Sequence, residues 1–249
     1  MSTKGIEKLR QQQPALGTWL SVGSPTIAEL AARCGFDWLL FDLEHGCLTE
    51  ADLLSNLRAA SGYPAALVVR VPDHGASLIG RALDWGAEVI MVPHVDQAES
   101  AQKLVQAMTH APHGKRGFSR SVRALGYGRI NPSEVPAPLL WTQIETAEGV
   151  RNVEAIAAVR GVHGLFVGPA DLKLSLASTP GAPSFEESLD RVIHAARTHG
   201  IAAGILIRDP AEFPGLQQRG FTQIAVDSDL AILRQGFLAI AEFGLRSSD

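Results

Sequence analysis

The sequence contains little cysteine. Only Cys34 and Cys47 occur among 249 residues, and they do not form the C-x-x-C spacing that is typical of a structural zinc site. Two cysteines are also too few to build a disulfide-held fold. The chain must therefore be stabilised by burial of apolar side chains, for which a 46% hydrophobic content in a chain of this length is sufficient.

The sequence also lacks long hydrophobic runs and blocks of like charge. No stretch of ~18 apolar residues occurs, and the polar N-terminal segment MSTKGIEKLRQQQ has no apolar core of a signal peptide. The 22 basic and 26 acidic residues give a formal net charge of −4. These absences argue against membrane and nucleic-acid partners, and they favour a cytoplasmic protein that acts on a small molecule.

Short apolar runs alternate regularly with amphipathic runs along the whole chain. Eight apolar runs predict strands: ALGTWLS (15–21), FDWLLFDL (36–43), ALVVRV (66–71), EVIMVPHV (88–95), LLWTQIE (139–145), VHGLFVG (162–168), AAGILIR (202–208) and TQIAVDS (222–228). The amphipathic runs predict helices over 26–35, 49–62, 76–86, 98–111, 149–161, 185–200, 210–220 and about 229–244. Eight such units predict one α/β domain over residues 1–249, a (β/α)8 TIM barrel, which typically needs ~250 residues. An open doubly wound sheet is disfavoured because no glycine-rich turn follows the first strand.

Carboxylates follow two neighbouring strands of this predicted barrel. Glu145 ends the fifth strand and Asp171 follows the sixth. Because the active site of such barrels lies where the strands end, both side chains are predicted to converge there. Two carboxylates without a thiolate favour Mg²⁺ or Mn²⁺ over structural Zn²⁺. The alternative is that both are solvated residues of the rim or partners of arginine.

Four polar residues lie at the ends of the second and third strands. His45 lies three residues after Asp42 and one after Glu44, so that a carboxylate could orient its ring for general-base catalysis. Arg70 ends an apolar run, where its charge needs either a substrate anion or a structural ion pair. A surface or packing role is the alternative for His45, and we assign such roles to the other histidines, His74, His94, His110, His113, His163, His194 and His199.

The segment FVGPADL places Gly168, Pro169 and Ala170 directly before Asp171. Bare backbone N–H groups in such a turn can approach a bound carboxylate closely, although an ordinary turn would have the same sequence. A Schiff-base mechanism is disfavoured because none of the five lysines lies inside an apolar strand, and only Lys173 stays a candidate. Phosphorylated substrates are disfavoured because acidic residues, not glycines, follow the last two strands.

Several blocks of the sequence resemble the HpcH/HpaI aldolase family, the class II pyruvate aldolases that act on 4-hydroxy-2-oxo acids. The resemblance extends from Gly17 to Gly244. The most specific blocks are GFDWLLFDLEHG (35–46), LVVRVP (67–72), ALDWGAEVIMVPHV (82–95), GKRG (114–117), QIETAEGVRNVEAIAAVRGV (143–162) and GLFVGPADL (164–172).

The resemblance implies a metal-dependent carbon–carbon lyase. It implies that Glu145 and Asp171 bind a divalent cation (Mg²⁺ or Mn²⁺, with Co²⁺ as an alternative), and that His45 is the base. It further implies that Arg70 stabilises the enolate and keto oxygens of the substrate. Gln143 and the backbone of residues 168–171 would hold the 2-oxo acid. The C3–C4 bond would then break to give pyruvate or an analogue and an aldehyde.

The resemblance also implies an assembly. Asp84 matches the acidic residue that raises the basicity of the histidine, yet it ends the third predicted helix, at the bottom of its own barrel. The resemblance implies a homo-oligomer, a hexamer built as a trimer of dimers with an exchanged C-terminal helix. In such an assembly Asp84 would reach the active site of a neighbouring subunit.

The acceptor aldehyde is left open by the sequence. The segment from Pro112 to Pro138 has no clear periodicity, and loops of that length tend to be functional or mobile. Two rival functions also stay open. One is a thioester lyase similar to the citrate lyase β-subunit and malyl-CoA lyase, with the GFSRSVRALGYGR loop binding coenzyme A. The other is a non-catalytic barrel that binds a 2-oxo acid, for which no base such as His45 would be needed.

Overall fold

The computed structural model describes residues 3–246, and its centre is a closed barrel of eight parallel strands. Each strand pairs with its successor in the chain, and β8 pairs with β1 to close the barrel. The strands are β1 (Ala15–Leu20), β2 (Trp38–Asp42), β3 (Ala66–Arg70), β4 (Val89–Val92), β5 (Leu139–Ile144), β6 (Gly164–Val167), β7 (Ala202–Ile207) and β8 (Gln223–Ser228). Each lies within a predicted run, so the predicted (β/α)8 barrel is confirmed.

Helices surround the barrel in the order that the sequence predicts. They are α1 (Lys4–Arg10), α2 (Pro25–Arg33), α3 (Glu50–Ala60), α4 (Ala76–Asp84), α5 (Ala98–Met108), α6 (Ala147–Arg151), α7 (Val153–Ala157), α8 (Pro169–Ser178), α9 (Phe185–Thr198), α10 (Phe213–Arg219) and α11 (Asp229–Arg246). The helix predicted over 149–161 is divided at Asn152 into α6 and α7. Helices α1 and α8 were not predicted.

Helix α1 closes the N-terminal end of the barrel. Ile6 and Leu9 are buried and pack with the side chains of the barrel interior. Gly5 allows this close approach, because a Cβ there would lie 2.0 Å from the carbonyl oxygen of Asp37. The segment is only seven residues long, and packing rather than its own periodicity stabilises it.

The barrel interior is filled by aromatic side chains. The rings of Trp38 and Trp141 meet edge to face with centroids 5.2 Å apart, and the Trp141 ring stacks on Phe166 at 5.9 Å. Gly17 provides space for the indole of Trp38, since a Cβ on that glycine would lie 2.1 Å from the ring. The filled interior leaves the chemistry to the open end, where the strands end. We call this end the mouth.

The long segment between α5 and β5 lies at the end opposite the mouth, because it connects the end of a helix to the start of a strand. It contains two 3₁₀ segments, Arg123–Gly128 and Pro132–Glu134. Within a single barrel this segment therefore does not line the mouth.

The last helix presents an apolar surface. Seven of its large apolar side chains are exposed: Leu230, Ile232, Leu233, Phe237, Leu238, Ile240 and Phe243. Within residues 3–246 no helix combines the length and the hydrophobicity required to cross a membrane.

Candidate active site

An arginine and two carboxylates form one side of the mouth. Asp42 and Arg70 are register partners at the ends of β2 and β3. Nε of Arg70 donates to Oδ1 of Asp42 at 2.8 Å and Nη2 donates to Oδ2 at 2.6 Å. Nη1 of Arg70 lies 2.9 Å from Oε2 of Glu44. Arg70 is thus paired with protein carboxylates, which is the structural ion pair named as one of two alternatives from the sequence.

The pKa of Arg70 reflects these contacts. Burial lowers it, but the hydrogen bond from Asp42 and the charges of Asp42, Glu44 and Glu145 raise it, and the net shift is upward. The guanidinium stays charged, and it adds positive potential to the mouth at the place where the strands end.

His45 stands at the mouth with an exposed ring. Its side chain is 66% exposed, and its Nε2 lies 3.8 Å from Oε1 of Glu44. Asp42 does not contact this ring; its Oδ1 accepts hydrogen bonds from the backbone N–H groups of Glu44 and His45. The carboxylate near the imidazole is therefore that of Glu44, while Asp42 fixes Arg70 and the turn that carries His45.

Glu145 lies on the other side of the mouth and is almost fully buried, with 2% of its surface exposed. Its Oε1 accepts the backbone N–H of His94 at 2.7 Å, and its Oε2 accepts Nε2 of Gln143 at 3.0 Å. Gly168 lies against this carboxylate, since a Cβ there would be 2.5 Å from Oε2. The carboxylate is held in one orientation by hydrogen bonds and by a glycine-shaped space.

The electrostatics of the mouth raise the pKa values of two carboxyl groups. Burial raises the pKa of Glu145, the hydrogen bond and charge of His94 lower it, and the charges of Glu44 and Asp171 raise it again. The pKa of Glu44 is raised chiefly by burial, against the charge of Arg70. Concentrated, partly desolvated negative charge of this kind is typical of functional sites.

Asp171 lies in the first turn of α8, which begins at Pro169 directly after β6. An ordinary turn is the alternative that the sequence leaves open here, but a ten-residue helix follows Gly168. Its first N–H groups, including those of Ala170 and Asp171, lack intrahelical acceptors and favour an anion. The arrangement thus combines a carboxylate with backbone donors at one point of the mouth.

His94 is the residue that sequence reasoning missed. The sequence predicts a packing or surface role for it, but it follows β4 and its Nδ1 lies 3.4 Å from Oε1 of Glu145. Its Nε2 lies 4.0 Å from Oε1 of Glu44. The only signal in the sequence was its position two residues beyond a strand. Many histidines without a function have such a position.

Asp84 ends α4 and lies at the end of the barrel opposite the mouth, as its sequence position predicted. Its Oδ1 accepts Nη2 of Arg116 at 2.7 Å. Asp84 is therefore not brought together with His45 within one chain.

The donor set of the mouth fits a divalent cation. Glu145 and Asp171 would supply oxygen ligands, which Mg²⁺ and Mn²⁺ prefer. Mg²⁺ in particular is commonly bound by only one or two carboxylates, with water and substrate as its other ligands. Oε1 of Gln143 is buried and has no partner among the described residues, so it is available to a ligand. Across residues 3–246, no group of three or more His, Cys, Asp or Glu side chains is placed so that it could hold a metal ion.

Comparisons with known proteins agree with this geometry. The family model described as HpcH/HpaI aldolase/citrate lyase matches residues 15–235. A Pseudomonas aeruginosa protein named hydroxypyruvate/pyruvate aldolase is 38% identical over 242 residues, which cover 94% of this chain and 90% of that protein. A 2-keto-3-deoxy-L-rhamnonate aldolase of Salmonella gallinarum is also 38% identical, over 90% of this chain and 86% of that protein.

A solved structure shows the same relationship in three dimensions. The crystal structure of a HpcH/HpaI aldolase/citrate lyase family protein from Burkholderia cenocepacia J2315 superposes with a TM-score of 0.87 at 37% identity. It covers 95% of this chain and 97% of the chain compared. The family resemblance indicated by the sequence blocks is confirmed, and the chain belongs to the HpcH/HpaI aldolase/citrate lyase family.

Proposed function

We propose that this protein is a class II aldolase, a carbon–carbon lyase. It cleaves 4-hydroxy-2-oxo acids to an aldehyde and the enolate of pyruvate or hydroxypyruvate, or forms them from these two parts. The observation that carries the proposal is the mouth itself. A fixed arginine, an exposed imidazole and a buried, oriented carboxylate lie together at the strand ends. The relatives at 38% identity that are named aldolases support the reaction class.

Glu145 and Asp171 are the proposed ligands of the divalent cation, Mg²⁺, Mn²⁺ or Co²⁺. When bound, such a cation supplies Lewis acidity that polarises the 2-oxo group and stabilises negative charge on its oxygen. The N–H groups at the start of α8 orient the acid end of the substrate. Gln143 lines the same place, and its unpartnered Oε1, which is an acceptor, receives a hydrogen bond from a hydroxyl group of the substrate.

His45 is the proposed base. It removes the proton from the 4-hydroxyl group of the substrate. The C3–C4 bond then breaks, the electron pair of that bond forms the enolate, and C4 leaves as the carbonyl carbon of an aldehyde. Arg70, held by Asp42, compensates the negative charge that develops on the enolate side. Proton return to C3 then completes pyruvate or its analogue.

Asp84 is proposed to act across a subunit boundary. It lies far from the mouth of its own barrel, and its carboxylate is 33% exposed beside Arg116. The exposed apolar side chains of α11 support burial against a further copy of the chain. A homo-oligomer, with a hexamer and an exchanged C-terminal helix as its specific form, stays a prediction, as does a cytoplasmic location.

The proposal is tested by activity and by proton exchange. Chelator-stripped protein is incubated with 4-hydroxy-2-oxo acids, and released pyruvate is coupled to lactate dehydrogenase before and after addition of Mg²⁺ or Mn²⁺. We expect turnover only with added cation. Equal turnover without any cation would contradict the metal-dependent mechanism, and activity confined to acyl-CoA thioesters would favour the thioester lyase.

Substitution of the base gives the second part of the test. We expect His45→Ala to slow exchange of the pyruvate methyl protons with solvent by at least ~10²-fold, the usual contribution of a general base. His194→Ala is the matched control, because His194 is a 76% exposed histidine on α9 away from the mouth. Exchange at the wild-type rate in His45→Ala would exclude His45 as the base.

A further inference from the structure

Both polar atoms of the peptide unit between Pro93 and His94 are fixed by side chains. The carbonyl oxygen of Pro93 lies 2.8 Å from Nε2 of His74. Since a carbonyl only accepts, Nε2 of His74 carries the proton and donates it. At the other side of the unit, the N–H of His94 donates to Oε1 of Glu145 at 2.7 Å. The peptide dipole is therefore aimed at the buried carboxylate.

The backbone of His94 adopts a conformation that makes this contact possible. Its φ of +50° lies in the left-handed region, which residues with a side chain adopt at a cost. The chain then returns to the sheet, where the N–H of Val95 donates to the carbonyl of Gln143 at 3.2 Å. One left-handed residue thus combines an N–H directed at Glu145 with continued pairing along β5.

The imidazole of His94 makes weaker contacts than its backbone. The side chain is 56% exposed, and Nδ1 lies 3.4 Å from the carboxylate oxygen that the backbone N–H reaches at 2.7 Å. A charge-assisted hydrogen bond of the shorter length is the stronger interaction. Gln143 donates to Oε2 of Glu145 and the His94 N–H donates to Oε1. These two hydrogen bonds prevent the carboxylate from rotating about its Cγ–Cδ bond.

We propose that His94 is a positioning residue, whose left-handed backbone fixes the Glu145 carboxylate for the divalent cation; this inference rests on the proposed function. Groups that orient a metal ligand through a hydrogen bond typically change metal affinity by about 10–100-fold when they are lost. The proposed role depends on the backbone conformation of residue 94 and not on its imidazole. Any residue that tolerates the left-handed region should therefore serve at this position.

The experiment measures the Kd of Mn²⁺ by electron paramagnetic resonance of the free ion, without any turnover. Asn and Gly adopt the left-handed region readily but lack the imidazole, whereas a β-branched Val strongly disfavours it. We expect His94→Asn and His94→Gly to bind Mn²⁺ within about 3-fold of wild type, and His94→Val to bind at least ~10-fold more weakly. If His94→Val does not fold, His94→Ala takes its place and is expected to weaken binding to a smaller extent.

Gln12→Val is the matched control. Gln12 is another non-glycine residue with a left-handed backbone, φ +54°, and it follows α1 at the closed end of the barrel. The same backbone conflict there is expected to lower stability and leave the Kd of Mn²⁺ unchanged. An equal loss of affinity in Gln12→Val would overturn the proposal.

The remaining outcomes are distinguishable. Equal weakening in His94→Asn, His94→Gly and His94→Val would assign the role to the imidazole and overturn the backbone proposal. Unchanged affinity in all of them would exclude any role of His94 in a site that nonetheless exists. A wild-type protein that binds no Mn²⁺ would instead contradict the metal site, and with it the proposed function.

Discussion

At the scale of single residues, Gly168 offers the sharpest test of the mouth. Its φ is negative, so an alanine is not strained by backbone conformation. The added Cβ would nevertheless lie 2.5 Å from Oε2 of Glu145 and 3.3 Å from Nε2 of Gln143. We expect Gly168→Ala to displace the carboxylate, weaken Mn²⁺ binding by roughly 10-fold or more, and lower stability by about 1–3 kcal/mol.

The control for this substitution is Gly215→Ala in α10. A Cβ at Gly215 meets nothing within 4 Å, so the same change of residue type adds no contact. We expect unchanged Mn²⁺ binding and unchanged or slightly increased stability, because alanine is the better helix former. Calorimetry with Mn²⁺ and thermal unfolding measure both; wild-type affinity in Gly168→Ala would show that this space is not needed.

His163 gives a prediction of pH dependence at the closed end of the barrel. Its Nδ1 accepts the N–H of Leu140, which requires an unprotonated nitrogen, and burial followed by the charge of Arg10 lowers its pKa. The unfolded chain therefore takes up a proton near pH 6.5 while the folded chain does not. Stability from this group is present above that pH and is lost as the pH falls toward the lowered folded pKa, by at most about 1.4 kcal/mol per pH unit.

The measurement compares urea unfolding at pH 7.5 and 5.5 for the wild type and His163→Asn. Asparagine keeps an acceptor for Leu140 but does not titrate, and all other groups are shared. We expect the wild type to lose more stability between these two pH values than the variant does. An equal loss in both proteins would mean that His163 does not contribute.

The sequence predicted which residues lie at the mouth, but it did not predict which of their side chains contact one another. Asp42, His45, Arg70, Gln143 and Glu145 lie where the strand ends predicted them. That Asp42 engages Arg70 and not the His45 ring follows from strand register, which brings Asp42 opposite Arg70. His94 was missed because its proposed role depends on a left-handed backbone, and histidine adopts that conformation too rarely for the sequence to indicate it.

At the scale of elements, α8 is tied to the strand ends by one hydroxyl. The Oγ of Ser175 accepts the N–H of the buried Ala147, the first residue of α6, at 3.0 Å. Glu145 lies two residues before Ala147 and Asp171 one turn before Ser175, so this contact links the chain segments that carry both carboxylates. Without it, a buried N–H loses its acceptor, which costs about 1–3 kcal/mol.

We expect Ser175→Ala to lower stability by that amount and to weaken Mn²⁺ binding, since the distance between the two carboxylates is then less constrained. Ser178→Ala on the same helix is the control, because its Oγ donates only to the carbonyl of Ser175 at an exposed position. Chemical unfolding and Mn²⁺ titration measure the two effects. A stability loss with unchanged Mn²⁺ affinity would separate the fold from the site.

Continuous apolar runs predicted the strands, and amphipathic runs predicted most of the helices. All eight strands lie within their predicted runs, and Gly62 and Gly200 follow α3 and α9 with positive φ, as helix-ending glycines do. Helix α1 was missed because it is short and its burial depends on distant residues. Helix α8 was missed because GPADLKL has the composition of a turn, and its apolar residues do not follow one helical face.

At the scale of the whole molecule, the single barrel leaves two features without a role. The apolar side chains of α11 are exposed, and Asp84 lies partly exposed beside Arg116 at the end opposite His45. One assembly would account for both if the neighbouring chain that covers α11 also brought its Asp84 to the mouth of this barrel. In that case each active site contains His45 of one chain and Asp84 of another.

Mixed oligomers test this arrangement directly. We expect His45→Ala and Asp84→Asn each to lose activity as uniform assemblies. When both variants are co-expressed with different tags and purified as mixed assemblies, some sites combine an intact His45 with an intact Asp84, and activity is restored in part. If both residues served the same chain, every site would carry one defect and mixing would restore nothing. Sedimentation of Phe237→Glu adds the physical control, since a charge on the exposed face of α11 is expected to release smaller species.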